Sequence, residues 1–318
     1  MTYLIIFICL FGIELLYFRL ADKFNIIDKP NQRSSHGIIT LRGGGVVFYI
    51  GALFYFFISG FQYPWFFLGL TIMSVISFLD DVFTLSNKIR LLFHFVAVLL
   101  MAFQLELFNM PWFYLLTMFI IVVGVINAYN FMDGINGITV CYSLAVGSLL
   151  ILVNKQDFFI EMDLLYYTIL ALIVFSFFNF RTKAKCFAGD VGAISIAFIL
   201  LFALGSLIIK TGNLIYILFL SVYGIDAVWT IIRRLYLKQN IFEAHRSHLY
   251  QFLGNEAGIN KLLISFLYGI IQFLIGLLTI KFVEKDINSQ TLFAFCLLGS
   301  MSVFYLIGKT YIIKRFVV

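Results

Sequence analysis

Asp80, Asp81, Asn130, Asp133 and Asp190 share one chemical trait: each offers a hard oxygen donor. Such a set suits Mg2+ or Mn2+, which bind through one or two protein oxygens and leave room for substrate phosphates. The chain also supplies Arg42, Lys88, Arg90, Lys183, Lys185, His245 and Arg246. A divalent ion inside a ring of cations is what a diphosphate requires as charge shifts onto a leaving phosphate. Asp80 and Asp81 are adjacent, so on a helix their side chains diverge and serve two roles, one toward a metal or acceptor and one toward Lys88 or Arg90. Asn127, Asn130, Asp133 and Asn136 recur at every third position, which on a continuing helix makes one polar stripe. The stripe begins inside an apolar run, where uncompensated amides are costly. Capping of a helix break explains one or two of the four, and function explains the set better. Asp190 stands between Gly189 and Gly192 at the mouth of a helix, open to close approach by a cation. Phe187, three residues before it, is a ring on which a flat base can stack, although 39 phenylalanines make a lipid-facing ring a serious competitor.

These groups need elements to hold them, and the composition says which kind. Of the 318 residues, 62% are hydrophobic and only 12% charged, with a mean hydropathy of +1.02. A water-soluble globule carries about twice that charge. A hydrocarbon core of ~30 Å calls for roughly 20 apolar residues per helix. Eleven segments are candidates: 2–20, 44–61, 65–79, 91–107, 112–130, 138–153, 163–180, 193–209, 213–232, 261–280 and 291–308. Alternating barrel strands are absent, and each span must satisfy its own backbone. The expectation is an all-α, polytopic membrane bundle of ten or eleven spans, one domain over residues 1–318. The first stretch lacks a basic leader and a small-residue cleavage site, so it reads as a retained span rather than a signal peptide.

Basic residues set the orientation. All of the 22 except Lys155, Lys210, Lys281 and Lys285 fall on the side that carries the polar motifs. The positive-inside bias makes that side cytoplasmic, with the N-terminus outside and the C-terminus inside. The net charge of +6 follows from this topology and implies no nucleic-acid partner. Four scattered cysteines, without CxxC spacing, imply neither a disulfide frame nor a zinc site. Gly43–Gly45 permits a tight turn and can present amides to an anion, though plain flexibility is the commoner meaning of three glycines. His245 and His248 flank Arg246 with no cysteine and few acids nearby, which fits contact with phosphate oxygens better than zinc. Asp226 lies deep in a span and is expected to pair with an arginine or a backbone group.

Read together, FLDDVFTLSNKIRLL, NAYNFMDGING, FAGDVG and HRSHLYQ resemble the polyprenyl-phosphate N-acetylhexosamine-1-phosphate transferases, in the right order over roughly residues 20 to 255. Within that family the similarity is greatest to the bacterial branch that initiates surface polysaccharides. The resemblance implies transfer of N-acetylhexosamine 1-phosphate from a UDP-sugar to undecaprenyl phosphate, with release of UMP, at the cytoplasmic face of the bacterial inner membrane. It implies Mg2+ on Asp190 and Asn130, Asp80 acting on the lipid phosphate, and Asp81 holding the basic loop. Asp133 and Phe187 would lie near the nucleotide, with Asn127 also binding substrate; Arg42, Lys88, Arg90, His245, Arg246 and His248 would bind the substrates' phosphates. Partners are the two substrates and the bilayer, with a homodimer as one assembly. Departures from the family pattern include Ala193 for a common serine, RTKAK without the usual prolines, ITLR before Gly43, and HRSH in place of HxHH. The alternative class, a transporter or lipid flippase, calls for charges and broken helices near the midplane. Here only Glu14 and Asp226 lie deep, and a mere scaffold leaves the stripe without purpose.

Overall fold

A computed structural model describes residues 1–29, 37–83, 85–240 and 246–317. Eleven helices of more than ten residues run through them: α1 (Thr2–Lys23), α2 (Val46–Ile58), α3 (Pro64–Phe83), α4 (Asn87–Gln104), α5 (Trp112–Met132), α6 (Ile138–Asp157), α7 (Met162–Asn179), α8 (Gly189–Thr211), α9 (Ser221–Tyr236), α10 (Lys261–Val283) and α11 (Ile287–Phe316). Each corresponds to one expected span. Among the described residues nine segments are long and apolar enough to cross a membrane, the seventh formed by a helical turn from Leu214 running into α9. The protein is therefore a multi-pass helical membrane protein. The two exceptions are informative. α2 has 13 residues, about 20 Å at 1.5 Å per residue, so it is shorter than a hydrocarbon core. It stops where Gly60, Phe61 and Tyr63 all take positive φ before Pro64. α4 spends its first turn on Lys88 and Arg90.

The bundle is organised around α8. Every residue from Val191 to Leu204 is buried, because the helix is apolar on all faces and has neighbours all round. By contrast, α11 is mostly open toward lipid. Helices approach through small residues, as expected where lipid removes the hydrophobic drive between spans. A Cβ on Gly192 would fall 2.6 Å from the Cα of Gly45, and one on Gly269 would fall 2.6 Å from the Cys141 carbonyl. Ser74 on α3 and Ser195 on α8 add a hydroxyl pair at 2.8 Å.

One short piece of extended chain matters. β1 (Ile27–Asp28) pairs antiparallel with β2 (Thr40–Leu41), and Leu41 bridges in parallel to Cys186. Phe187 N–H then donates to the Leu41 carbonyl at 2.8 Å, Gly44 N–H to Phe187 at 2.9 Å, and Gly45 N–H to Ala188 at 3.1 Å. This strap ties the entry of α2 to the entry of α8. It also occupies the Gly44 and Gly45 amides, which are thus engaged internally and not presented to an anion.

Candidate active site

Asp81 ends α3 beside the first turn of α8, and its placement explains much of the site. Its side chain is fully buried; Oδ1 accepts from Asp190 N–H at 2.9 Å and Oδ2 from Val191 N–H at 3.0 Å. Those are two of the four N–H groups a helix start leaves unsatisfied, and the carboxylate also meets the positive end of the helix dipole. Gly189 makes the approach possible: at φ +72° it carries no Cβ, and one would lie 2.5 Å from Asp81 Oδ2. The third partner is Arg42, whose Nε is 2.7 Å from Oδ1. Asp81 thus fixes Asp190 and Arg42 together. Its geometry is that of a positioning residue, and its basic partner comes from the strap rather than from Lys88 or Arg90.

Around Asp190 the remaining groups converge. Arg42 Nη2 lies 3.1 Å from Oδ1 and Arg90 Nη2 3.7 Å from Oδ2. Asn130 Nδ2 donates to Oδ2 at 3.2 Å. Asp80 pairs with Arg90 at 2.9 Å, accepts from Leu85 N–H at 2.6 Å, and is close enough to Asp190 for the two carboxylates to interact. Residues from four helices and the strap therefore meet at one end of the bundle. Burial works against the charge on Arg42, yet Asp81, Asp190 and Asp28 raise its pKa above the usual value.

The donor chemistry fits a hard divalent cation. Two facing carboxylates, Asp80 and Asp190, repel unless a proton or cation lies between them. The Asn130 amide oxygen is a further donor. Among the described residues no group of three or more His, Cys, Asp or Glu gathers as a metal cage. An ion held here would thus depend on a few protein oxygens together with substrate phosphates, as Mg2+ often does.

The polar stripe is not one stripe. α5 ends at Met132, so the four residues diverge. Asn127 donates to the Val123 carbonyl and lines an apolar groove of about 670 Å³ between α5, α9 and α11. Asn130 turns toward Asp190. Asp133 sits at the helix end and accepts from Thr139 Oγ1 at 2.6 Å. Burial, reinforced by the charge of Asp190, pushes its carboxyl up to about 6. Asn136 donates to the carbonyls of Arg181 and Thr182 and so holds the loop before Phe187. Helix continuation was the wrong premise: Gly134 and Gly137 break it, the latter at φ +84°.

The other expected site residues are placed as follows. Phe187 is half-buried in the strap, and Lys88 is exposed on the first turn of α4. Arg246 is ion-paired with Glu256. His248 is buried with Nδ1 3.2 Å from Asp226. His245 lies outside the described residues. Asp226 meets its expected backbone partner in Leu249 N–H at 3.0 Å and also accepts from the hydroxyls of Tyr268 and Tyr305 at 2.9 and 3.0 Å. Several contributors carried no sequence signal. Tyr17 donates to the Arg42 carbonyl at 2.6 Å. Asn179 joins Gly137 N–H to the Cys186 carbonyl. Cys186 contacts Glu14 at 3.6 Å, and burial with that carboxyl alongside pushes the thiol well up. His94, one helical turn beyond Arg90, is buried within electrostatic reach of Asp190.

Residues 63–209 match the model of a family described as glycosyl transferase family 4. A Bacillus subtilis protein named as a probable undecaprenyl-phosphate N-acetylglucosaminyl 1-phosphate transferase is 29% identical over 257 residues, 74% of this chain and 71% of its own. Proteins named undecaprenyl-phosphate alpha-N-acetylglucosaminyl 1-phosphate transferase are similar in Yersinia pestis and Thermotoga maritima. The first is 33% identical over 61% of this chain, the second 28% identical over 77%. The match spans 59% of the Yersinia protein's length and 78% of the Thermotoga one's.

Proposed function

The chain belongs to glycosyl transferase family 4, and from that premise we propose that it transfers N-acetylhexosamine 1-phosphate from a UDP-sugar to a polyprenyl phosphate, releasing UMP. An oxygen of the lipid phosphate forms a bond to the sugar-bearing phosphorus as the bond from that phosphorus to the UMP oxygen breaks. One observation carries the reading: Asp80, Asn130 and Asp190 converge with Arg42 and Arg90 at one end of a membrane bundle. Diphosphate chemistry needs that combination of oxygen donors and guanidinium forks.

Asp190 and Asn130 would hold Mg2+, whose chemistry when bound is to neutralise charge developing on the diphosphate. Arg42 and Arg90 orient phosphate oxygens from opposite sides of Asp190. Asp80, adjoining Arg90, receives the lipid phosphate and takes its proton where one is present. Asp81 acts through Asp190 and Arg42. Asp133 and Phe187 flank the nucleotide. The groove lined by Asn127 accommodates part of the isoprenoid chain, an apolar ligand matched to an apolar wall. The bias of basic residues puts this end in the cytoplasm. The names of the relatives make N-acetylglucosamine the first sugar to test, and the resemblance of the sequence motifs makes the start of a surface polysaccharide the first role.

The test is release of UMP by the purified protein from UDP-N-acetylglucosamine, in detergent, with undecaprenyl phosphate. Release should require both the lipid and Mg2+ or Mn2+, and D190A should lower it by roughly 1,000-fold or more, the scale of losing a preorganised electrostatic group. Full activity in D190A would overturn the assignment of the site. Failure with every UDP-N-acetylhexosamine in a panel would overturn the substrate class.

A further inference from the structure

A cavity of about 650 Å³ lies on the other side of the strap. Its walls come from three separate segments: Phe18, Arg19 and Asp22 on the last turns of α1, Ile27 with Ile39–Leu41 on the two strands, and Lys183–Lys185 in the loop before α8. Ile39, Thr40 and Leu41 all line this cavity, and at the next residue the chain turns Arg42 to Asp81 and Asp190, so the strap lies between the cavity and the catalytic cluster.

Arg19, Lys183 and Lys185 face the cavity against one carboxylate, Asp22. Among the described residues none of the three cations is in an ion pair. Loose basic residues at a membrane surface are ordinary, but these three rim a concave space. An apolar path also leads into it. On α1, Leu15 and Leu16 precede Arg19 by one helical turn and are exposed at 45% and 54%. Ile38 and Ile39 are exposed beside the cavity, at 55% and 59%. A cationic rim, an exposed aliphatic track on a spanning helix, and a position where that helix ends match a molecule with an anionic phosphate head and a hydrocarbon tail.

We propose that this cavity binds the phosphate headgroup of an anionic phospholipid, with Arg19, Lys183 and Lys185 around the phosphate and an acyl chain along α1. The site is distinct from the diphosphate site and does not depend on the transferase reading. Occupancy links α1 to the 183–185 loop, which continues through Phe187 into Asp190.

The experiment measures lipid retention, not transfer. Full-length protein in neutral detergent is titrated with phosphatidylglycerol, with phosphatidylcholine of the same chains, and with glycerol 1-phosphate or inorganic phosphate, and bound adducts are counted by native mass spectrometry. The wild type should retain one more phosphatidylglycerol than the triple variant R19Q/K183Q/K185Q, whose affinity should fall roughly 10- to 100-fold. K210Q, at the opposite end of α8, should bind like the wild type. All three substituted side chains are exposed, and an unchanged melting temperature in lipid-free detergent shows that the variant is folded. Equal phosphatidylglycerol retention by wild type and triple variant overturns the proposal. Equal retention of phosphatidylcholine and phosphatidylglycerol by the wild type removes the anionic requirement and overturns it as well. Charge-sensitive binding of glycerol 1-phosphate as tight as that of phosphatidylglycerol reassigns the cavity to a soluble phosphate ligand.

Discussion

Asp80 and Asp81 are adjacent, yet their surroundings give them different work. Asp80 keeps an oxygen toward Arg90 and Asp190, whereas Asp81 has both oxygens committed to backbone N–H groups and Arg42. Replacing Asp81 with asparagine leaves one acceptor where there were two and turns an NH2 toward a donor. D81N should lose about 1–2 kcal/mol of stability, the usual cost of a damaged helix cap, and roughly 100-fold in turnover through misplacement of Asp190. The check is unfolding temperature in detergent beside the rate of UMP release; wild-type turnover would show that Asp190 needs no such support. Asp133 gives a pH test. Its folded carboxyl titrates at about 6 because of burial, above the ~3.9 of an unfolded chain. The folded state therefore binds the proton more tightly, so this group's contribution to stability is present below pH ~4 and lost as pH rises through about 6. D133N, which has no proton to lose, should show a smaller decline in melting temperature between pH 4 and 7 without added divalent ion. An identical decline would place the titration elsewhere.

At the scale of elements, the site depends on how closely α2 approaches α8. Gly45 and Gly192 meet backbone to backbone, and Ala188 is also within van der Waals distance. A β-branched side chain has nowhere to go without separating the strap from the first turn of α8. G192V should cost about 1–3 kcal/mol from overpacking and should abolish transfer, because Arg42 and Asp190 ride on the two separated segments. Gly308 is the control: nothing lies within 4 Å of a Cβ there, so G308A should leave yield, melting temperature and turnover unchanged. Equal behaviour of the two variants in monodispersity and rate would contradict the packing argument.

At the scale of the whole molecule, the joined ends of α3, α4, α5 and α8 define one face of the bundle. Contacts at the opposite end join Tyr3 to Asp163 and Tyr63 to Glu161. The bias of lysine and arginine toward the site's face predicts which compartment each end meets. A membrane-impermeant maleimide should label S289C in intact cells but reach N240C only after permeabilisation. Labelling of N240C from outside would invert the orientation and put the diphosphate site in the wrong compartment for a nucleotide sugar.

Hydropathy and residue type were sufficient for the bundle, because a bilayer admits few solutions: a run of some 20 apolar residues must become a helix. The same logic exposed Asp80, Asp190 and Asn130, since carboxylates and amides at span ends need a reason to be there. Periodicity failed where local geometry took over. Asn127, Asp133 and Asn136 share a spacing with Asn130 but not an environment, because α5 stops at Met132 and two glycines turn the chain. The pairing of residues 41–45 with 186–188, the seat of Asp81 beneath α8, and the withdrawal of Arg246 to Glu256 were decided only by tertiary structure. Each depends on contacts between segments from ten to more than a hundred residues apart, at distances set by which side chains are absent as much as by which are present. No pattern along a single chain encodes that proximity.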